Sequence, residues 1–147
     1  MPKEFFSAKQ QNQIVDAIKL AETNTSGEIR VHIEPLCNGD TYARAKEVFE
    51  KLGMHATALK NGVLFYLAYE DKKFAVIGDK GIHEKVTGAF WDEEKKVLES
   101  HFKEGLFTEG LCRAIEMAGE KLKAYFPHQT DDTNELPNDI SFGGADA

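Results

Sequence analysis

The chain has little of what marks the commonest functional classes. No apolar run approaches the roughly 20 residues that span a bilayer, and the opening segment MPKEFFSAKQQNQ has no apolar core of signal-peptide length. The chain as given is therefore expected to be cytoplasmic, with no direct membrane insertion. Cysteine is scarce: Cys37 and Cys112 lie far apart without a CxxC, which speaks against a redox pair or a Cys-rich zinc site. Both read as small buried or half-buried thiols of a reducing compartment. Basic residues are outnumbered, 18 against 25 acidic for a net charge of −7, and no Lys/Arg cluster stands out. That argues against nucleic acid and against an anionic membrane surface. GxGxxG, GxxxxGK[ST] and GxSxG are all missing, so neither a nucleotide cradle nor a hydrolase elbow is indicated. Neither cysteine has a histidine nearby in sequence. His83, His101 and His128 read as surface or helix-face residues.

What is present centres on residues 61–81, NGVLFYLAYEDKKFAVIGDKG. Residues 63–69 form an unbroken apolar run rich in β-branched and aromatic side chains, suited to a strand covered on both faces. After the polar break Glu70-Asp71-Lys72, residues 74–77 form a second apolar run, so the two read as an antiparallel hairpin. Upstream, Ser7 and Gln10 have capping-box spacing, and Ile14, Val15, Ile18 and Ala21 recur at helical spacing, predicting a helix over 7–23. Residues 28–34 alternate, with Ile29, Val31 and Ile33 on one face and Arg30 and His32 on the other, predicting a strand with one polar face near a sheet edge. Asp40 or Thr41 caps a second helix with Ala45, Val48, Phe49 and Leu52 as its apolar stripe, closing near Gly53.

Residues 81–89 read as a short helical turn and a loop. Asp92 caps a third helix to Glu104 with Gly105 as its C′ residue, and a fourth runs from Thr108 to the stop at Pro127. A domain over 1–127 is expected, long enough to bury roughly 68–70% of its unfolded surface. Residues 128–147 are polar and acidic, with Leu136, Ile140 and Phe142 as their sizeable apolar groups, and read as a flexible tail. The strand–helix–strand order makes the first two strands parallel. The expected fold class is α/β: a mixed sheet in which a parallel βαβ unit precedes an antiparallel hairpin, with helices on both faces.

That topology gathers polar residues from distant positions at the edge where the parallel strands start. Glu28 begins the first strand, Asn61 precedes the second, the hairpin returns Asp79, and the second helix brings His55 back. Two carboxylates and an amide oxygen are hard ligands suited to Ca²⁺ or Mg²⁺, and His55 would move the choice towards Zn²⁺. Asp79 is the foremost candidate ligand, with Gly78 and Gly81 expected to free the loop backbone to turn its carbonyls. The competing reading is that Glu28 and Asp79 cap backbone groups. The opposite edge, beyond the carboxyl ends of the parallel strands, offers Glu34, Asn38, Asp40, Glu70 and Asp71 as a rival.

Three segments carry a family resemblance: SGEIRVHIEP from Ser26, GMHATALKNGVLFYLAYEDKKFAVIGDKGI from Gly53, and Phe90-Trp91. In order and spacing they resemble the TPM-domain family, which includes a thylakoid-lumen repair protein of photosystem II and many bacterial proteins. The matching motif positions are Ser26, Gly27, Glu28, His55, Asn61, Gly62, Gly78, Asp79 and Gly81. The resemblance implies a three-layer α/β/α sandwich, a divalent-cation site with Ca²⁺ first and Mg²⁺ as alternative, and a proposed acid phosphatase activity of plant members. It also implies kinship with a soluble, stand-alone branch that works beside membrane-bound relatives, one of which would be the protein partner. Two functions follow: a cation-binding regulatory or assembly module, and a metal-dependent acid phosphatase on phosphate monoesters. In the phosphatase the cation would polarise a phosphoryl oxygen and activate water.

Overall fold

The most apolar stretch of the chain becomes an inner strand. β2 (Gly62–Ala68) is buried at every position. It lies between β1 (Glu28–Glu34), to which it is parallel with Glu28 opposite Gly62, and β3 (Lys73–Gly78), to which it is antiparallel with Val63 opposite Gly78. The computed structural model describes residues 5–23, 25–57, 60–86, 88–127 and 140–143. Among these the sheet runs β3-β2-β1-β4, where β4 (Ser141–Phe142) lies parallel to β1.

Alternation decides which side chains go to which layer. Ile29, Val31, Ile33, Val63, Phe65, Leu67 and Val76 form one core with α1 (Ala8–Glu22), α4 (Gly88–Lys103) and α5 (Phe107–Tyr125), through Ile14, Ile18, Leu98, Leu111 and Ile115. Leu64, Tyr66, Ala68, Ala75 and Ile77 form a second core with Ala45, Val48 and Phe49 of α2 (Thr41–Lys51) and with Met54. Both faces of β2 are thus dry, which is why its sequence is continuous rather than alternating. A single-turn 3-10 helix (Met54–Ala56) follows α2, and α3 (Lys80–His83) follows β3.

Local signals set most boundaries. α1 opens in a reciprocal capping box: Ser7 N–H donates to Gln10 Oε1 at 2.9 Å, and Gln10 N–H donates to Ser7 Oγ at 3.1 Å. Asp40 Oδ2 caps α2 by accepting from Ala43 N–H at 2.8 Å. Gly105, after α4, takes the left-handed conformation at φ 77°. α4 begins at Gly88, a turn before the expected cap at Asp92.

Two expectations change. β1 is buried at all seven positions, so its polar face does not meet solvent; α2 lies on that side and β4 on the outer edge. Of the residues read as a flexible tail, 128–139 and 144–147 lie outside the described residues. Residues 140–143, however, are docked: Ile140 is buried and Phe142 packs on the main core, and Gly143 N–H donates to Ile33 O at 2.8 Å. The unfilled outer edge of β1 and two apolar side chains outweigh the polar composition around them. Among the described residues, no helix is long and apolar enough to cross a membrane.

One buried group stands apart. Glu94 of α4 is fully buried, and neither carboxyl oxygen has a hydrogen-bond partner among the described residues. Burial pushes its pKa up to about 8, against the opposing pull of Arg113. A carboxyl raised in the folded state lends its stability below its ordinary value near 4.5 and loses it as pH rises through about 8. Glu94→Gln should therefore be more stable than the unmodified chain at pH 8, by about 1 kcal/mol or more. The difference should shrink towards zero by pH 4.5. Thermal denaturation across that range checks it, and an equal gap at both ends would contradict it.

Candidate functional site

The end of the sheet where the parallel strands start is closed by backbone bonds. Glu28 N–H donates to Asn61 O at 3.3 Å, Asp79 N–H to Gly62 O at 3.0 Å, and Gly81 N–H to Lys60 O at 2.8 Å. The main chains of Glu28, Asn61 and Asp79 are therefore neighbours, as the crossover and hairpin demand. Their side chains part company. Asp79 lies beside a cavity of about 540 Å³ between α2 and the end of β3, whose lining includes Lys46, Glu50, His55, Lys80 and His83. Asp79 Oδ1 accepts from Lys80 N–H at 2.7 Å, whereas Oδ2 is buried with no hydrogen-bond partner among the described residues. His55 is exposed on the 3-10 turn and lines the same cavity.

Glu28 and Asn61 belong elsewhere. Asn61 Nδ2 donates to Ser26 Oγ at 3.4 Å. Glu28 acts on Glu22, a residue the spacing argument did not single out, whose Oε2 accepts from Ile29 N–H at 2.7 Å. Glu22 is pushed to about 8, by burial above all, against that bond and with the charge of Glu28 adding to the rise. Between Glu28 and Asp79 sits β2. A Cβ at Gly62 would lie 3.5 Å from Met54 Cε and 3.8 Å from Phe49 Cζ, so these apolar side chains wedge over Gly62. Among the described residues, no group of three or more His, Cys, Asp or Glu is placed to hold a metal ion. The glycines also serve a different end. Gly78 and Gly81 are not in the left-handed region, which Lys60 occupies here at φ 53°. Gly78 is required by packing, since a Cβ there would meet the Trp91 ring at 2.7 Å.

At the rival edge Asp40, Asp71 and Glu34 are already in use. Asp40 caps α2, and Asp71 Oδ2 accepts from Cys37 N–H at 2.6 Å. Glu34 receives Arg44 in fork geometry, Nε to Oε2 at 2.9 Å and Nη2 to Oε1 at 2.8 Å, together with the Tyr66 hydroxyl and His32 Nε2 at 3.2 Å. Burial pushes the Glu34 carboxyl up, but the bonds from Arg44, His32 and Tyr66 outweigh it and hold it well below the usual carboxylate range. His32 Nδ1 in turn meets Ser141 Oγ at 3.0 Å. Ser141, His32 and Glu34 have the connectivity of a hydrolytic triad. The two ring nitrogens have exchanged roles relative to such a triad, however, and Arg44 already holds both oxygens of Glu34, so the cluster reads as structural. Arg44 and Tyr66 escaped sequence reading because both sat among ordinary helix-face and apolar-strand positions.

The TPM-domain model matches residues 2–121. The chain belongs to the TPM-domain family. Its fold is similar to the NMR structure of the BA42 protein from Bizionia argentinensis, at 50% identity and TM-score 0.90, covering 96% of this chain and 97% of that one. Fold similarity alone extends to the N-terminal domain of the cg2496 protein from Corynebacterium glutamicum, at 16% identity and TM-score 0.64, covering 80% and 74% of the two chains. It extends likewise to an N-terminal domain from P. gingivalis, at 14% identity and TM-score 0.64, covering 86% and 83%. Among curated proteins none matches the chain.

In this TPM domain the Glu34 cluster ties α2 to the sheet. Removing Arg44 leaves a buried carboxylate with only the Tyr66 hydroxyl and His32 as side-chain partners. Because Arg44 keeps 26% of its side chain in water, Arg44→Ala should cost on the order of 2–3 kcal/mol, below the about 3–5 typical of a fully buried pair. A carboxyl lowered in the folded state lends stability above its ordinary value near 4.5 and loses it as pH falls below that. Urea unfolding should show this acid-side loss in the unmodified chain and a flatter profile in Glu34→Gln.

Proposed function

We propose that this TPM domain binds a divalent cation at Asp79 and acts as a regulatory or assembly module, with a membrane-bound relative as a fitting protein partner. The observation that carries this reading is the second carboxyl oxygen of Asp79. It is buried with no hydrogen-bond partner among the described residues, beside the cavity under α2. A carboxyl oxygen without a donor is costly to bury, and a cation would supply the missing partner. The donor set fits in part. Asp79 would hold the ion through a hard oxygen, favouring Ca²⁺, then Mg²⁺. His55 is the imidazole beside it, which leaves Zn²⁺ the weaker choice. Glu28 and Asn61, which do not line that cavity, would contribute through the sheet end they brace. With so few charged ligands the affinity should be modest, roughly 10⁻⁴–10⁻³ M for Ca²⁺.

One observation favours the second reading, a metal-dependent acid phosphatase on phosphate monoesters. The cavity beside Asp79 also carries Lys46 and Lys80, and a phosphoryl group needs such positive charge.

A Ca²⁺ titration followed by amide NMR tests the first reading. Shifts should centre on residues 79–81 and the 3-10 turn, and Asp79→Asn should weaken binding by about tenfold or more while the fold persists. Equal affinity in the two proteins, or shifts confined to 34–40 and 70–71, would overturn it. Metal-dependent turnover of p-nitrophenyl phosphate near about 1–10³ s⁻¹, lost in Asp79→Ala, would decide for the phosphatase.

A further inference from the structure

The docked segment 140–143 reads like a ligand on a receptor. Its four residues alternate between two features of the domain, the main core and the His32–Glu34 cluster. Ile140 is buried with the main core, and Phe142 packs against it. Ser141 Oγ meets His32 Nδ1 at 3.0 Å. Gly143 lies over the Glu34 cluster, where a Cβ would stand 2.5 Å from Glu34 Oε1 and 2.7 Å from His32 Nε2. Those atoms cannot retreat, because Arg44 and Tyr66 pin the carboxylate. Backbone pairing adds sheet geometry: Ser141 lies opposite His32 and Phe142 opposite Ile33, with the Gly143 N–H to Ile33 O bond beyond. Alternate pockets joined by main-chain bonds are how sheet edges recognise extended peptides.

The pairing is also short. β4 engages two of the seven residues of β1, and Ser141 and Phe142 remain half-buried. An association this brief owes much of its occupancy to being tethered in the same chain, which supplies an effective concentration in the millimolar range.

We infer that the outer edge of β1 is a peptide-binding site. In the isolated chain its own residues 140–143 fill it, and it is open to an extended segment of a second protein with the same apolar–Ser–aromatic–Gly pattern. This inference does not depend on the cation reading, since it uses another strand edge and other side chains.

The test uses the full chain carrying Gly143→Val, whose added side chain should expel the tail. The probe is a capped synthetic peptide, Asn-Asp-Ile-Ser-Phe-Gly-Gly-Ala, the sequence of residues 138–145. The variant should bind it saturably, with amide shifts along 29–34 and at Tyr66. The unmodified chain should bind it about tenfold more weakly or worse, because the tail competes. A peptide with Val in place of its first Gly should not bind, and one with Ala in place of Ser should bind several-fold more weakly. If Gly143→Val fails to fold, the unmodified chain decides: millimolar peptide should displace the tail, seen as movement of the Phe142 amide. A folded protein that shows no binding, or shifts away from β1, overturns the inference. So does a dimer in which one copy's tail fills the other's edge, which would make the occupant a second copy of this chain.

Discussion

Everything in this domain follows from burying β1 and β2 on both faces and both edges. Helices cover the two faces, β3 closes one side and β4 lies along the other. An apolar strand such as β2 meets that condition with side chains alone. β1 carries Glu28, Arg30, His32 and Glu34 into the same dry space, and each must find its partners inside the protein.

Glu34 shows how that demand shapes the neighbourhood. Its two oxygens accept from Arg44 of α2, Tyr66 of β2 and His32 of its own strand. One carboxylate thereby fixes the helix above the sheet and the stacking of the His32 and Tyr66 rings, whose planes lie within 9°. It also sets the terms on which the tail can approach, through Ser141 on His32 and the bare backbone of Gly143. The polar cluster is a fastening, and its saturation is the reason it is a poor place for chemistry.

The other end of the sheet obeys the same rule and leaves a remainder. Backbone bonds close it, Asn61 is paired with Ser26, and Phe49 and Met54 fill the space over Gly62. Asp79 keeps one oxygen without a partner beside a cavity bearing both signs of charge. Glu34, buried at the rival edge, has both oxygens paired, and Asp79 differs from it in this.

Helices α1 and α2, the hairpin and the parallel pairing of β1 with β2 were legible in the chain, because capping boxes, apolar periodicity and connection length act over a few residues or one crossover. So was the return of Asp79 and Asn61 to one sheet end, which is backbone topology. Side-chain company was not legible. That Asp79 lines the cavity under α2 and Glu28 does not is a matter of side-chain packing, and whether His32 faces water depends on Arg44 and on β4. Gly78 looked like turn chemistry and proved to be room for Trp91. The docking of residues 140–143 was hidden for the same reason. A short polar segment with two apolar residues has no local preference strong enough to declare itself, and only the open edge of a strand more than a hundred residues away gives it a place.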